Sequence, residues 1–73
     1  MKIRLNGEAH ELAGPLSIGA LLATLDVDPR RVAVEHNLVV VKRHAYDSTT
    51  LDDGDDIEIV NFVGGGTQDI HAL

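Results

Sequence analysis

The sequence contains no cysteine and no tryptophan, and its aromatic residues are limited to Phe62 and Tyr46. The absence of thiols excludes disulfide cross-links and thiolate metal sites. With so few aromatic side chains, aliphatic residues must supply most of the hydrophobic core. A chain of 73 residues builds only one small core, so we expect a single domain of modest stability.

Basic residues are missing from the second part of the chain. All six Lys and Arg lie at or before Arg43, whereas seven of the twelve acidic residues follow it, so residues 44–73 carry a formal charge of −7. Nucleic-acid binders present clustered Lys and Arg to the phosphates, so we expect no nucleic-acid partner. A basic protein surface is the favoured partner, and acids that only keep the domain soluble are the alternative.

Long hydrophobic runs are also missing. No stretch reaches the length of a membrane-spanning segment, and the first residues lack the apolar run of a signal peptide. Together with the lack of cysteine, this predicts a cytoplasmic protein with no membrane partner.

One short helix is predicted after the first hairpin. Apolar residues recur in SIGALLATL at i, i+3, i+4 and i+7, which is the spacing of a helix with one buried face. Ser17 is placed to cap its N-terminus, and Leu16 with Leu21 fits a hydrophobic staple. Asp28-Pro29 ends the segment, so the helix has about nine residues.

The remaining pattern predicts strands. Alternating residues flank Asn6-Gly7, a strong hairpin signal, and Val32–Lys42 predicts two short strands or one bent strand around His36-Asn37. Residues 43–50 are predicted to form a loop, with a single helical turn as the alternative, and a turn at Asp53-Gly54 precedes a last alternating strand. This order predicts an α+β roll, a mixed sheet of four to five strands packed on one short helix.

The last strand carries the predicted partner-binding residues. If Ile57 and Ile59 face the helix, alternation places Asn61 inward and the side chains of four residues outward. These four are Asp56, Glu58, Val60 and Phe62. An exposed apolar spot among acids is typical of a docking surface, whereas a bulge that returns Phe62 to the core is the alternative.

Several kinds of site are not predicted. The four histidines, His10, His36, His44 and His71, lack the close spacing of structural zinc ligands. The acid cluster at residues 52–56 lacks the twelve-residue frame of a calcium loop, and turn chemistry explains it more simply. No hydroxyl lies in a sequence context that would activate it, so we expect no catalytic residue and no enzyme.

The glycine run Gly64-Gly65-Gly66 matches no phosphate-binding pattern, because neither Lys-Ser/Thr nor a helical segment follows it. Bare backbone can instead extend into a narrow channel of another enzyme, since no Cβ obstructs it. A disordered tail without a role is the alternative.

The stretch LDDGDDIEIVNFVGGG, together with IRLNGE, SIGALLATL, VAVEHN and the basic-to-tyrosine segment 43–46, resembles the ThiS family of sulfur carriers for thiamine biosynthesis. The resemblance covers about the first 66 residues. It implies a ubiquitin-like β-grasp domain over residues 1–63, followed by a flexible glycine tail and C-terminal extension over residues 64–73.

The same resemblance implies a function in sulfur transfer. A ThiF-like enzyme would use ATP to adenylate the terminal carboxylate, a sulfur donor such as a cysteine desulfurase would supply a persulfide, and a ThiG-like thiazole synthase would take sulfur from the resulting thiocarboxylate. Gly66 would supply the acyl carbon, with Gly65 and Gly64 as its stem. The carrier would be a substrate that binds no cofactor, and ATP would be used by its partner.

The extension Thr67–Leu73 departs from the family pattern, because it locks Gly66 in a peptide bond. We therefore predict a precursor that a protease cuts after Gly66. Ile70 and Leu73 offer a way to fold the extension back onto the sheet, but a disordered tail is the expectation. The alternatives are a sulfur carrier for molybdopterin or another metabolite, and a β-grasp interaction module with no thiocarboxylate chemistry.

Overall fold

The computed structural model describes residues 1–62 and 70–72, with side chains through Asn61. Within these ranges the chain forms six strands, one α-helix and two short 3-10 helices. In chain order they are β1 (Lys2–Leu5), β2 (Glu8–Glu11), α1 (Ile18–Thr24), a 3-10 turn (Pro29–Arg31), β3 (Val32–His36), β4 (Val39–Val41), a second 3-10 turn (Arg43–Ala45), β5 (Asp56–Phe62) and β6 (Ile70–Ala72).

The sheet is mixed, with the strand order β2-β1-β5-β3-β4 and β6 paired separately to β5. β1 and β5 run parallel, with Leu5 opposite Ile57, and the other strand pairs in the described residues are antiparallel. The predicted mixed sheet packed on one short helix is confirmed for β1 to β5. β6 is an additional strand that the sequence pattern did not predict.

Two tight turns set the registers of the outer hairpins. Asn6 and Gly7 have φ angles of 49° and 84°, as the predicted Asn-Gly hairpin requires. Asn37 and Leu38 also have positive φ, 51° and 71°, and they separate β3 from β4. Of the two predicted arrangements for Val32–Lys42, two short strands is therefore the correct one.

The helix begins as predicted but has seven residues rather than about nine. The Ser17 hydroxyl oxygen accepts a hydrogen bond from Ala20 N at 3.0 Å. At the other end, Asp26 adopts a left-handed conformation with φ 58°, and Val27 N donates to Leu22 O at 2.9 Å. This Schellman-type closure stops the helix before Asp28-Pro29 is reached.

The core lies between the helix and one face of the sheet. The helix contributes Ile18, Leu21 and Leu22, all fully buried. The segment between β4 and β5 contributes Tyr46 and Leu51. The remaining buried side chains are Ile3, Leu12, Val32, Val34, Ile57 and Ile59. Within residues 1–62 and 70–72, none of the helices could span a lipid bilayer.

Candidate docking face and C-terminal strand

The central strand β5 separates the core from the candidate docking face. Ile57 and Ile59 are fully buried, so alternation places Asp56, Glu58 and Val60 on the side away from the helix. Glu58 is exposed, and Asp56 and Val60 are half-buried. This confirms the predicted orientation of these three residues, although their role in partner binding remains a prediction.

Two further predictions concern the end of β5. Asn61 is half-buried and lies opposite the buried Val32, which agrees with its predicted inward orientation. The side chain of Phe62, the fourth predicted partner-binding residue, lies outside the described residues. The same holds for Gly64, Gly65 and Gly66.

Residues on β3 and β4 extend the candidate surface. Ala33 lies opposite Val60, and Glu35 lies between Glu58 on one side and Val40 on the other. We call Asp56, Glu58, Val60, Ala33, Glu35 and Val40 the outer face. Ala33, Glu35 and Val40 were not predicted from the sequence, although the alternation of Ala33 and Glu35 with Val32 and Val34 was a usable signal.

The outer face combines like charges with an exposed apolar edge. Glu35 and Glu58 are direct cross-strand neighbours, and like charges in that position destabilise a sheet. Val40 is 66% exposed on β4. A partner that brings a cation to the glutamate pair and apolar atoms to Val40 would fit this arrangement.

The acid cluster before β5 ties this strand to β1. Gly54 has a φ of 88°, and its N–H donates to Lys2 O at 2.7 Å. The Asp53 carboxylate accepts a hydrogen bond from Lys2 N at 2.7 Å. These acids therefore form a turn, as the simpler of the two interpretations predicted.

Asp55 links the same turn to the β3–β4 connection. Its carboxylate accepts hydrogen bonds from Asp52 N at 2.8 Å and from Asn37 Nδ2 at 3.2 Å, and it lies 2.7 Å from His36 Nε2. Burial raises the pKa of the Asp55 carboxyl, but these hydrogen bonds outweigh burial and hold the pKa below its usual value. The two loops are thereby joined at the start of β5.

Several side chains considered for catalysis or metal binding make hydrogen bonds that stabilise turns and the helix end. Among the described residues, no group of three or more His, Asp or Glu side chains is placed to hold a metal ion. His36 pairs with Asp55, and Ser17 caps the helix. The Ser48 and Thr49 hydroxyls both donate to Ala45 O, at 3.2 and 2.8 Å.

Part of the C-terminal extension is a strand. Ile70–Ala72 forms β6, which pairs antiparallel with the end of β5 so that His71 lies opposite Asn61. These three residues are thus placed as a strand beside β5 rather than as a disordered tail. The predicted fold-back of Ile70 and Leu73 onto the sheet concerns side chains outside the described residues. The other residues of the predicted tail, 64–69 and 73, lie outside the described residues.

The fold and this site define a class of protein. A helix that follows the first hairpin and covers a mixed sheet, with a parallel β1–β5 pair inside it, is the ubiquitin-like β-grasp arrangement. The model of the ThiS family matches residues 3–66, and the chain belongs to that family.

Individual relatives agree with this assignment. The chain is 42% identical over 50 residues to the sulfur carrier protein ThiS of Bacillus subtilis, covering 68% of this chain and 76% of that protein. The crystal structure of the thiamine biosynthesis protein ThiS from Geobacter metallireducens superposes with a TM-score of 0.79 at 39% identity, covering 90% of this chain and all of that one.

A longer relative is also similar. The thiazole synthase of Paramagnetospirillum magneticum is 45% identical over 67 residues, which is 92% of this chain but 21% of that protein. The thiazole synthase of Magnetococcus marinus matches in the same way, with 46% identity over 66 residues. The chain thus spans about a fifth of the length of these two proteins.

Proposed function

We propose that the protein is a sulfur carrier for thiamine biosynthesis that becomes active once cleavage after Gly66 frees the glycine carboxylate. The observation that carries this proposal is the match to the ThiS family over residues 3–66, which ends at the last residue of the glycine run. In this proposal the protein is a substrate of other enzymes and performs no catalysis itself.

The chemistry requires a free carboxylate at Gly66. A carboxylate oxygen attacks the α-phosphate of ATP, pyrophosphate leaves, and the acyl carbon is then bonded to AMP, a good leaving group. The terminal sulfur of a protein persulfide attacks this carbon and expels AMP, and a thiol that reduces the resulting disulfide releases the thiocarboxylate. Gly66 in an amide bond to Thr67 offers no such oxygen, so the 73-residue chain is inert in the first step.

The outer face supports recognition by the adenylating enzyme. Glu58 and Glu35 stand side by side at the middle of the sheet, and Asp56 lies further along the same face of β5. A partner surface with an Arg or Lys opposite this pair would relieve their mutual repulsion on binding, which gives both specificity and a faster encounter. Phe62 keeps its predicted place in this interface.

Thiazole synthase is the proposed acceptor of sulfur. The support is that two proteins named thiazole synthase contain a stretch similar to this chain within a longer polypeptide. Joining a carrier to its acceptor raises their effective concentration, so such an arrangement is expected where the two act together. A persulfide-forming cysteine desulfurase is the proposed sulfur source.

The test uses three chains: residues 1–73, residues 1–66, and residues 1–65. Each is incubated with a ThiF-like adenylating enzyme, ATP and a persulfide donor, and the products are read by pyrophosphate release and intact mass. We expect adenylation and a sulfur-for-oxygen mass increase only for residues 1–66. Adenylation of none of the chains would refute the carrier function.

The structure gives one observation in favour of the alternative, an interaction module that keeps its extension. Ile70–Ala72 is paired with β5 and is thus part of the sheet. The intact mass of the protein recovered from its own cells, grown without thiamine, separates the two. A species ending at Gly66 supports the carrier, whereas the 73-residue form alone supports the module.

A further inference from the structure

On the β1 side of β5, successive backbone groups make hydrogen bonds with different partners along the strand. Arg4 N donates to Asp55 O and Asn6 N donates to Ile57 O, each at 2.8 Å. Since successive residues of a strand direct their N–H and C=O to opposite edges, the odd-numbered residues of β5 all face this side. The even-numbered residues face β3, as Asn37 N donating to Asp56 O confirms.

Beyond Ile57 the backbone of β1 no longer runs beside β5, because the chain turns at Asn6-Gly7. The Asn6 carboxamide takes the place of a strand residue there. Its Oδ1 accepts a hydrogen bond from Ile59 N at 2.8 Å, and its Nδ2 donates to Ile59 O at 3.2 Å. One side chain thus pairs both backbone groups of Ile59.

Asn61 is the next residue that faces this edge, and β6 lies beside it. Because Asn61 and His71 are directly opposite and Asn61 directs its backbone to this side, they form a hydrogen-bonded antiparallel pair. β6 has three residues, and within the described part of the chain it pairs with β5. A strand held through one such pair is readily displaced.

The β5 edge lies within the family match, whereas β6, which covers it, does not. Asn61 lies within the stretch that matches ThiS, residues 3–66, whereas Ile70–Ala72 lies beyond it. The edge therefore belongs to the shared domain, and its cover is specific to the extension. An uncovered strand edge with a free N–H and C=O is a template for pairing with another extended chain.

We propose that the β5 edge at Asn61 is a strand-docking site for the adenylating enzyme, and that β6 is a built-in competitor that covers this site while the extension is attached. The proposal rests on the proposed function. Gly66 lies five positions beyond Asn61, about 17 Å when extended, so an enzyme that holds Gly66 has its surface within about 17 Å of this edge. An extended segment of that enzyme would pair with Asn61 as His71 does.

Two proline variants of the full chain test the competitor. His71→Pro removes the N–H that faces Asn61, whereas Ala72→Pro removes an N–H that points away from β5, so the second is the matched control. We expect amide hydrogen exchange of Asn61 to be about tenfold faster in His71→Pro and in residues 1–66 than in Ala72→Pro and the parent. Ile59, held by Asn6, should stay protected in all four.

Loss of the β6 pairing should also strengthen binding of the adenylating enzyme. If closure by β6 slows exchange about tenfold, it must weaken binding of the adenylating enzyme by the same factor, so His71→Pro should bind about tenfold more tightly than Ala72→Pro. In the complex with residues 1–66, the Asn61 amide should become protected again.

The outcomes separate this proposal from the carrier function. Equal Asn61 exchange in all four chains would show that β6 does not cover the edge and would overturn the proposal. Adenylation of residues 1–66 with Asn61 still exchanging freely in the complex would overturn strand docking but leave the carrier function standing. Failure of residues 1–66 to be adenylated would refute both.

Discussion

Asn6→Gly is the substitution that most directly tests how β5 is held in the sheet. Glycine tolerates the positive φ of this turn, so the backbone keeps its conformation and the carboxamide is lost. Two hydrogen bonds to Ile59 disappear, at about 1 kcal/mol each. The added freedom of glycine in the unfolded chain is roughly offset by its easier adoption of the left-handed conformation. The total is about 2 kcal/mol.

The assay is urea unfolding at neutral pH, with thermal unfolding beside it. A loss of about 2 kcal/mol corresponds to a Tm lower by roughly 10 °C for a domain of this size. Asn6→Asp is the companion variant, because it keeps an acceptor for Ile59 N but places a carboxylate against Ile59 O. An Asn6→Gly protein with an unchanged free energy of unfolding would refute the role of Asn6 as a substitute strand residue.

Three further predictions address other parts of the molecule. Asp26→Gly should stabilise the protein by about 1 kcal/mol in urea unfolding, because Asp26 sits at a left-handed helix end where glycine is preferred and a negative charge is unfavourable; a loss of stability would contradict this. The folded pKa of Asp55 lies below its unfolded value, so its contribution is present above the unfolded value and lost as pH falls through the folded one. The urea midpoint of Asp55→Asn should therefore be lower than that of the parent at pH 6 and should converge with it in acid. A constant difference between the two midpoints down to about pH 2 would refute the linkage. Glu58→Gln should weaken binding of the adenylating enzyme and reduce its salt dependence, whereas Glu8→Gln, the same charge change on β2, should not; equal effects would remove the outer face from the interface.

The predictable parts of this fold are those with a local cause. Asn6-Gly7 specified a hairpin because both residues tolerate positive φ, and Ser17 with its apolar stripe specified the start of α1. The end of α1 was placed too late, since the Schellman-type closure uses Asp26, a residue with only a weak preference for the left-handed region.

The parts that sequence reasoning missed depend on distant partners. Asn6 and Ile59 are 53 positions apart, and nothing near Asn6 indicates that its side chain will serve β5. β6 likewise exists through its pairing with β5 rather than through its own sequence. For the outer face, the orientation of Glu58 followed from alternation, but its neighbour Glu35 depended on the register between β3 and β5.

The position of β5 in the sheet has a consequence for how the chain reaches its native state during synthesis. β5 lies between β1 and β3, yet it leaves the ribosome after both of them. Until Ile57 and Ile59 have emerged, the first hairpin and the β3–β4 hairpin have no strand to join them, and their apolar faces lack a common core. Cooperative folding must therefore wait for β5, and the growing chain depends on its many acids and its short strands to stay free of aggregation.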